Sequence, residues 1–259
     1  MTKLKNIIKK FSICATVAAG LMAGTSAQAK EYWSDNSITI LYGTTFKLPF
    51  GNTTTDEKRY VFTLEHMSDN SWGDTFGFMD TERSFQGHRT QLYGEFLPRL
   101  SLFRISNYQA PKDNFLQDIL LAYNGEAGVD VSGFNQYNNL VGIGTTLNMP
   151  LFQYLKLNFF HRINQRTSNN WQFTPVFGIP FTIGKADFKI DGWADFVSAT
   201  AGVKSNVHTQ IQAKWDIGKA LMNKPETFYV GTEFKYWKNK FGVQGVTETV
   251  WQLLAQAHF

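Results

Sequence analysis

The sequence predicts an all-β protein, a transmembrane antiparallel β-barrel of about 12 strands connected as an up-and-down meander around a polar lumen. Three observations lead to this prediction. Twelve successive segments alternate apolar with polar residues, no stretch after residue 29 is apolar for long enough to form a membrane-spanning helix, and aromatic residues are abundant, with 23 Phe, 10 Tyr and 7 Trp. Because successive side chains of a strand point to opposite faces, alternation gives each strand one apolar and one polar face. In a membrane barrel the apolar faces contact lipid, and aromatic rings gather near the headgroups.

The last segment, residues 246–259, ends the chain on an alternating strand. Its apolar face carries Thr249, Trp251, Leu253, Ala255, Ala257 and Phe259. Its mostly polar face carries Glu248, Val250, Gln252, Leu254, Gln256 and His258. A terminal aromatic residue on such a strand resembles the signal by which outer-membrane barrels are recognised, so we expect Phe259 to contact the barrel-assembly machinery. The alternative is a closing edge strand of a soluble β-protein.

Residues 1–29 are predicted to be a cleaved secretory signal peptide. Four lysines precede an apolar core over residues 11–24, and Ala27-Gln28-Ala29 offers small residues for cleavage. Residues 30–259 then form a single outer-membrane barrel domain. Cleavage removes four lysines and no acid from a formal charge of +4, so the mature charge is 4 − 4 = 0. It also removes Cys14, the single cysteine, so the mature chain has no internal disulfide.

The other predicted strands follow the same alternation. They cover residues 38–48, 60–67, 72–79, 91–102, 115–124, 139–147, 152–164, 171–183, 187–198, 207–217 and 228–237. Longer polar loops are predicted at 49–58, 80–90 and 126–138. If the chain begins in the periplasm, short periplasmic turns should alternate with longer outer loops. The connections 103–114 and 218–227 depart from this scheme, because both are long where a short turn is expected.

The polar faces carry several charges per strand, which predicts a water-filled lumen. Burying that many charges in a dry core is costly unless they are paired. The residues expected to line the lumen and contact a solute are Glu65, Tyr93, Glu95, Arg99, Lys189, Asp191, Trp193, Asp195 and Lys214, with Tyr229, Glu233 and Lys235 as further candidates. The alternative is that these charges pair with neighbouring strands and brace the barrel. Asp74 shares its face with Trp72, Phe76 and Phe78, so alternation points it towards lipid unless a bulge turns it inward.

Three stretches carry more distinctive motifs: WSDNSITILYGTTF at 33–46, WGDTFGFMD at 72–80 and GEFLPRLSL at 94–102. They include W-x-D-x-x-G-x-x-D at Trp72, Asp74, Gly77 and Asp80, and E-x-x-P-R-x-S at Glu95, Pro98, Arg99 and Ser101. In these motifs the chain resembles the nucleoside-specific channel-forming proteins, the Tsx/OmpK-like family of outer membranes. The resemblance implies a monomeric twelve-stranded barrel with a narrow channel selective for nucleosides. Some members of that family are known as phage receptors.

We therefore expect a channel in the bacterial outer membrane for passive, selective uptake of small solutes, most of all nucleosides. The expected partners are outer-membrane lipid and the solute. The mature chain has no net charge and hence no footprint for nucleic acid. A structural or surface-receptor barrel without transport is the alternative.

A further alternative is an outer-membrane lipid hydrolase. His66 and Ser68 have the spacing that puts a base and a nucleophile on one face of a strand. However, the second strand places both at the periplasmic rim, and no orienting carboxylate or oxyanion-hole motif accompanies them. The other histidines lack the spacing of a metal site. We therefore expect no catalytic residue, no metal and no cofactor.

Overall fold

The computed structural model describes residues 30–47, 57–85, 90–130 and 135–259. The predicted signal peptide and parts of the predicted loops 49–58, 80–90 and 126–138 lie outside the described residues. The strands are β1 (Glu31–Phe46), β2 (Glu57–Asn70), β3 (Gly73–Ser84), β4 (Thr90–Ser101), β5 (Leu116–Asp130), β6 (Asn135–Leu147), β7 (Tyr154–Asn164), β8 (Asn170–Ile183), β9 (Ala186–Val197), β10 (Asn206–Asp216), β11 (Phe228–Lys238) and β12 (Thr247–His258). Their connections hold the short helices α1 (Leu102–Ile105) and α2 (Ile217–Met222) and a 3-10 turn (Lys240–Gly242). Within the described ranges, no helix has the length and apolar character needed to cross a membrane.

The twelve strands form a closed antiparallel barrel, as predicted. Each strand pairs with its neighbours in the chain, and β1 pairs with β12 from Ser37 opposite His258 to Gly43 opposite Gln252. The C-terminal residue continues this seam, because the Phe259 N–H donates to the carbonyl of Asn36 at 2.9 Å. Closure removes the unpaired sheet edges that would be costly in lipid.

The barrel has an apolar outer wall and a polar interior. Large outward side chains are exposed, among them Ile40, Phe159 and Leu253 at 52%, 52% and 67%. Charged side chains on the inward faces are buried, including Arg99 at 1% and Glu248 at 0%. A water-soluble protein would have the opposite distribution, with apolar side chains buried and charged side chains exposed. A closed β-barrel with this distribution belongs in the bacterial outer membrane.

The predicted faces of β4 and of β8 to β12 are confirmed. In β4, Leu92 and Leu100 are exposed on the outer wall, whereas Glu95 and Arg99 hydrogen-bond inside the barrel. These strands alternate without interruption, so the two-residue period identifies their faces correctly.

A bulge overturns the prediction at the end of β1. Alternation places Phe46 with Ile38 and Ile40 on the lipid face. The pairing with β2 shifts register between Gly43 and Phe46, and Phe46 is fully buried in the interior. An extra residue in a strand exchanges its two faces, and the sequence carries no clear signal for it.

The predicted face of β3 is wrong along the whole strand. Asp74 and Phe78 both point into the lumen, since they lie opposite the inward residues Arg99 and Glu95 of β4. The register shows no shift here, so no bulge is involved. The aromatic residues suggested a lipid-facing side, but in this strand they line the interior.

Three strands extend by four or more residues into segments predicted as loops, whereas β2 and β4 do so by two residues and by one residue. β3 continues to Ser84, β5 continues to Asp130, and β6 begins at Asn135. The polar, glycine-containing sequence of these segments is typical of loops. The extensions of β3 and β5 nevertheless complete ladders with both neighbouring strands, and residues 135–137 of β6 pair with β5. The extensions bring Glu82 and Glu126 into the lumen.

The two unexpectedly long connections contain the short helices. Ser101 Oγ accepts a hydrogen bond from the Arg104 N–H at 3.0 Å at the start of α1. Asp216 Oδ1 accepts from the Lys219 N–H at 2.8 Å at the start of α2. Both side chains act as N-caps, so strand and helix meet at a defined residue. The predicted ends of β4 and β10 lie within one residue of the observed ends, and the helical turns account for the additional length of the two connections.

The outward position of Leu253 provides a test of membrane contact. Leu253→Arg should destabilise the barrel in lipid vesicles by about 2–4 kcal/mol, because an arginine near the bilayer centre loses its hydration. Denaturant unfolding in vesicles, followed by tryptophan fluorescence, measures the change. Leu221→Arg is the matched control, since Leu221 is 75% exposed in α2 and lies outside the strands. Equal costs at the two positions would contradict the lipid-facing assignment.

Candidate solute site in the barrel lumen

All of the predicted lumen residues lie on the inward faces of their strands. They are Glu65 in β2, Tyr93, Glu95 and Arg99 in β4, Lys189, Asp191, Trp193 and Asp195 in β9, Lys214 in β10, and Tyr229, Glu233 and Lys235 in β11. The structure does not gather them into one site. It divides most of them among four side-chain networks and a row of aromatic rings.

The first network, which we call the terminal network, lies near the end of the barrel where β1 begins and β12 ends. It consists of Asp74, Arg99, Lys156 and Asn158. Arg99 Nε donates to Asp74 Oδ1 at 2.7 Å, and Arg99 Nη1 donates to Asn158 Oδ1 at 3.0 Å. Lys156 Nζ reaches the same aspartate at 2.9 Å. Since β3 and β7 are four strands apart in the barrel, this ion pair crosses the lumen.

The second network, the mouth network, lies at the opposite end of the barrel. Arg59 Nη1 donates to Glu82 Oε2 at 2.6 Å, and Arg59 Nη2 donates to Glu57 Oε2 at 3.0 Å. Lys235 reaches Glu82 from β11 at 3.5 Å, again across four strands. The ring of Phe46 lies between the two cations, 5.1 Å from the Arg59 guanidinium carbon and 5.4 Å from the Lys235 ammonium. These distances suit cation–π attraction on a buried ring.

Lys240 joins the mouth network from the connection between β11 and β12. Its Nζ donates to Glu248 Oε2 at 2.6 Å, and its ammonium lies 5.1 Å from the Trp237 ring. Only 3% of Lys240 is exposed, so this side chain enters the interior from outside the strands. Burial lowers the pKa of Lys240 to about 8, although the nearby Glu248 carboxylate opposes part of the shift. The lysine is therefore mostly protonated at neutral pH.

The third network, the acidic network, extends from β4 to β9. Arg162 forms a double hydrogen bond with Glu126, with both N–O distances 2.7 Å. Arg162 also donates to Gln172, whose amide nitrogen donates to Asp195 at 2.9 Å. Glu95 lies opposite Glu126 in the register of β4 and β5. The network therefore holds three carboxylates and one guanidinium.

The fourth network surrounds Lys214. Its Nζ lies 2.8 Å from Asp191 Oδ2 and donates to Gln256 at 2.9 Å. Lys189 lies 3.7 Å from the same aspartate. Glu65 is within electrostatic range of Lys214 and Asp191. Most of the predicted charges in this part of the lumen are thus used in pairs.

A row of aromatic rings lines the lumen from β9 towards the mouth. Trp193 meets His208 edge to face with 4.8 Å between ring centroids. His208 stacks on Trp237 at 4.0 Å, and Trp237 contacts Phe241 at 4.5 Å. His208 Nε2 is buried and has no hydrogen-bond partner among the described residues. The row brings several aromatic rings and a buried ring nitrogen together in one place.

The charged interior is confirmed, but its charges occupy much of the space that was expected to hold water. Ion pairs cross the lumen at both ends, and side chains as large as Arg99 and Lys235 are almost fully buried. Pairing of each charge was the alternative expectation. The geometry favours that alternative for Arg99, Asp191, Lys214 and Lys235.

Sequence reasoning missed several important interior residues. Glu82 and Glu126 were placed in loops, and Asp74 was placed on the wrong face. Lys156 and Arg162 lie in a correctly predicted strand, and their alternation with Leu155, Leu157 and Ile163 was the available signal. Lys240 had no such signal, because it enters the lumen from a connection.

His66 and Ser68 do not form a catalytic pair in this structure. They share one face of β2 near the end of the strand, as predicted. His66 Nδ1 lies 2.9 Å from Asn36 Oδ1, and Ser68 Oγ accepts from Asn70 Nδ2 at 3.1 Å. Among the described residues, no cluster of three or more His, Cys, Asp or Glu side chains is arranged to hold a metal.

No protein-family model matches the sequence, and a search of curated proteins returned no match. The solved structures similar to this chain include the KdgM porin, with a TM-score of 0.48, 9% identity, and coverage of 86% of this chain and 99% of that one. The translocator domain of the autotransporter NalP from Neisseria meningitidis has a TM-score of 0.43 and 7% identity over 98% of each chain. OccK11 from Pseudomonas aeruginosa has a TM-score of 0.37 and 6% identity, covering 87% of this chain and 96% of that one.

These similarities are too distant to transfer a function. The resemblance to nucleoside-specific channel-forming proteins is not confirmed by them.

Arg99 tests whether the terminal network stabilises the barrel. Arg99→Leu should lower the free energy of unfolding by about 3–5 kcal/mol, because it leaves the buried Asp74 carboxylate with a single cation. Denaturant unfolding in vesicles measures the loss. Arg83→Leu is the control, since Arg83 is exposed on the outer wall and bonds Thr90 alone among the described residues. Its effect should stay within about 1 kcal/mol; a similar loss for both variants would contradict a role for the crossing pair.

Lys240 tests whether the mouth network restricts the lumen. Lys240→Ala should raise single-channel conductance in planar bilayers, because it removes a buried side chain from the mouth. Lys238→Ala, two residues away at an exposed position, should conduct as the unmodified protein does. Unchanged conductance in Lys240→Ala would show that the restriction lies elsewhere.

Proposed function

We propose that this barrel is an outer-membrane channel for the passive, selective passage of small solutes, with nucleosides as the preferred class. The observation that carries the proposal is the row of inward rings formed by Trp193, His208 and Trp237 beside hydrogen-bonding side chains. A nucleoside is a neutral sugar bearing an aromatic base. Recognition requires ring faces for the base and polar groups for the hydroxyls.

Selective passage also requires that each contact is weak. A solute must bind well enough to enter and loosely enough to leave. The interior of this barrel offers several separate groups instead of one deep pocket, which suits transfer in steps. For a solute to pass, the contacts of the mouth network must loosen. Lys240 belongs to this network but lies in a connection between strands and not in a strand.

The motif resemblance supports the same proposal. Asp74 of the W-x-D-x-x-G-x-x-D motif and Arg99 of the E-x-x-P-R-x-S motif form one ion pair across β3 and β4. The two motifs are thus parts of a single structural unit. The ion pair gives both motifs a structural role in this chain, and the solute is to be identified by experiment.

A structural or receptor barrel without transport is the second candidate. The ion pairs that cross the lumen favour it, because a filled interior suits a barrel that presents its loops and moves nothing. In either role, Phe259 is exposed at the chain end and is the proposed contact for the assembly machinery. The predicted signal peptide would deliver the chain to that machinery.

Solute flux in liposomes separates the two candidates. Nucleosides should enter faster than sugars of similar size, and Trp237→Ala should raise the nucleoside concentration for half-maximal flux by roughly tenfold, as expected from losing one stacking contact. Trp171→Ala is the control, because Trp171 is 50% exposed on the outer wall. Equal rates for nucleosides and sugars would remove the case for selectivity, and no flux of either would favour the receptor barrel.

A further inference from the structure

The acidic network contains more negative than positive groups. Glu95, Glu126 and Asp195 are connected by hydrogen bonds and register, and Arg162 is the one cation that bonds to this network within the described ranges. Glu95 and Glu126 lie directly opposite each other on adjacent strands, where like charges repel. A chain selected for stability alone would not be expected to keep this arrangement.

The guanidinium of Arg162 bonds directly to one of the three carboxylates, that of Glu126. Arg162 donates to both oxygens of Glu126, at 2.7 Å each, and Glu126 is 5% exposed. This pair is satisfied and closed to solvent. The other two carboxylates lie outside the double hydrogen bond.

Glu95 receives hydrogen bonds from neutral groups. Tyr93 Oη donates to Glu95 Oε1 at 2.7 Å, and Asn124 Nδ2 donates to Glu95 Oε2 at 2.6 Å. Asp195 is bound in the same way, with Thr174 Oγ1 at 2.6 Å and Gln172 Nε2 at 2.9 Å. Both carboxylates remain partly exposed in the lumen. They are therefore oriented by the wall but not neutralised by it.

An orphan acceptor lies in the same place. Asn124 is 2% exposed, its amide nitrogen points at Glu95, and its Oδ1 has no hydrogen-bond partner among the described residues. A buried acceptor without a donor is costly. Beside the Glu95 carboxylate, which lacks a counter-charge, it marks a position where a positively charged hydrogen-bond donor would be stabilised.

Aromatic rings accompany both carboxylates. Tyr93 lies two residues before Glu95 on the inward face of β4, and Trp193 lies two residues before Asp195 on the inward face of β9. Tyrosine and tryptophan faces attract organic cations. Carboxylates and aromatic faces together are the groups that recognise an ammonium.

We propose that the lumen binds small organic cations at Glu95, Asp195 and Asn124 Oδ1, beside the rings of Tyr93 and Trp193, and that this site makes the channel prefer cationic over anionic solutes. The inference rests on the proposed channel function for access to the site. It adds a second class of solute to the neutral nucleosides: amines are favoured, and acidic sugars and nucleotides are disfavoured.

Reversal potentials in planar bilayers under a KCl gradient test the preference. The unmodified protein should be cation-selective at neutral pH, and Glu95→Gln with Asp195→Asn should reduce the cation-to-anion permeability ratio by roughly tenfold. Both substitutions preserve shape and hydrogen bonding, and resistance of the barrel to unheated SDS verifies folding. The matched control is Glu31→Gln with Asp113→Asn, which removes two exposed acids outside the lumen and should leave the ratio unchanged. An unselective parent protein, or a double variant as selective as the parent, would overturn the inference.

Calorimetry in detergent separates this inference from the channel proposal. Tetramethylammonium chloride should bind the unmodified protein, KCl at the same concentration should not, and the double variant should bind tetramethylammonium at least about tenfold more weakly. Binding without any conductance or flux would uphold the cation site and reject the channel. Conductance with no tetramethylammonium binding, or equal binding by tetramethylammonium and potassium, would uphold the channel and reject the organic-cation site.

Discussion

The structure depends on pairing charged side chains inside a closed wall that leaves them little water. Asp74 meets Arg99 and Lys156, and Glu82 meets Arg59 and Lys235, in both cases with contacts between strands four apart. Each buried charge would be strongly destabilising alone, so these pairs stabilise the closed barrel across the lumen. The lipid-facing wall provides no comparable directional contacts, because its side chains are apolar.

The interior and the connections are coupled at the mouth. Phe46 enters the lumen through a bulge at the end of β1, and Lys240 enters it from a 3-10 turn. Both residues lie near strand ends and fill part of the lumen at the mouth. The cations around Phe46 and the carboxylate beside Lys240 hold both in place.

The networks also differ in charge balance, which separates bracing from recognition. In the mouth network, three carboxylates meet three cations, Arg59, Lys235 and Lys240. In the acidic network, the carboxylates of Glu95 and Asp195 receive neutral donors alone and stay partly exposed. A balanced network stabilises the barrel without needing a ligand. An unbalanced one is completed by a ligand.

The sequence by itself determined the strand number, the end positions of most strands and the faces of β4 and β8 to β12, because a two-residue period is a local property of the chain. It also identified Glu95, Asp195 and Trp193 as lumen residues for the same reason. It did not determine the face of β3, the inward turn of Phe46 or the strand character of residues 126–130, since each depends on what the neighbouring strands provide. The partner of each charge was likewise decided by the tertiary structure, because Asp74 and Lys156 are 82 positions apart and meet only when the barrel closes.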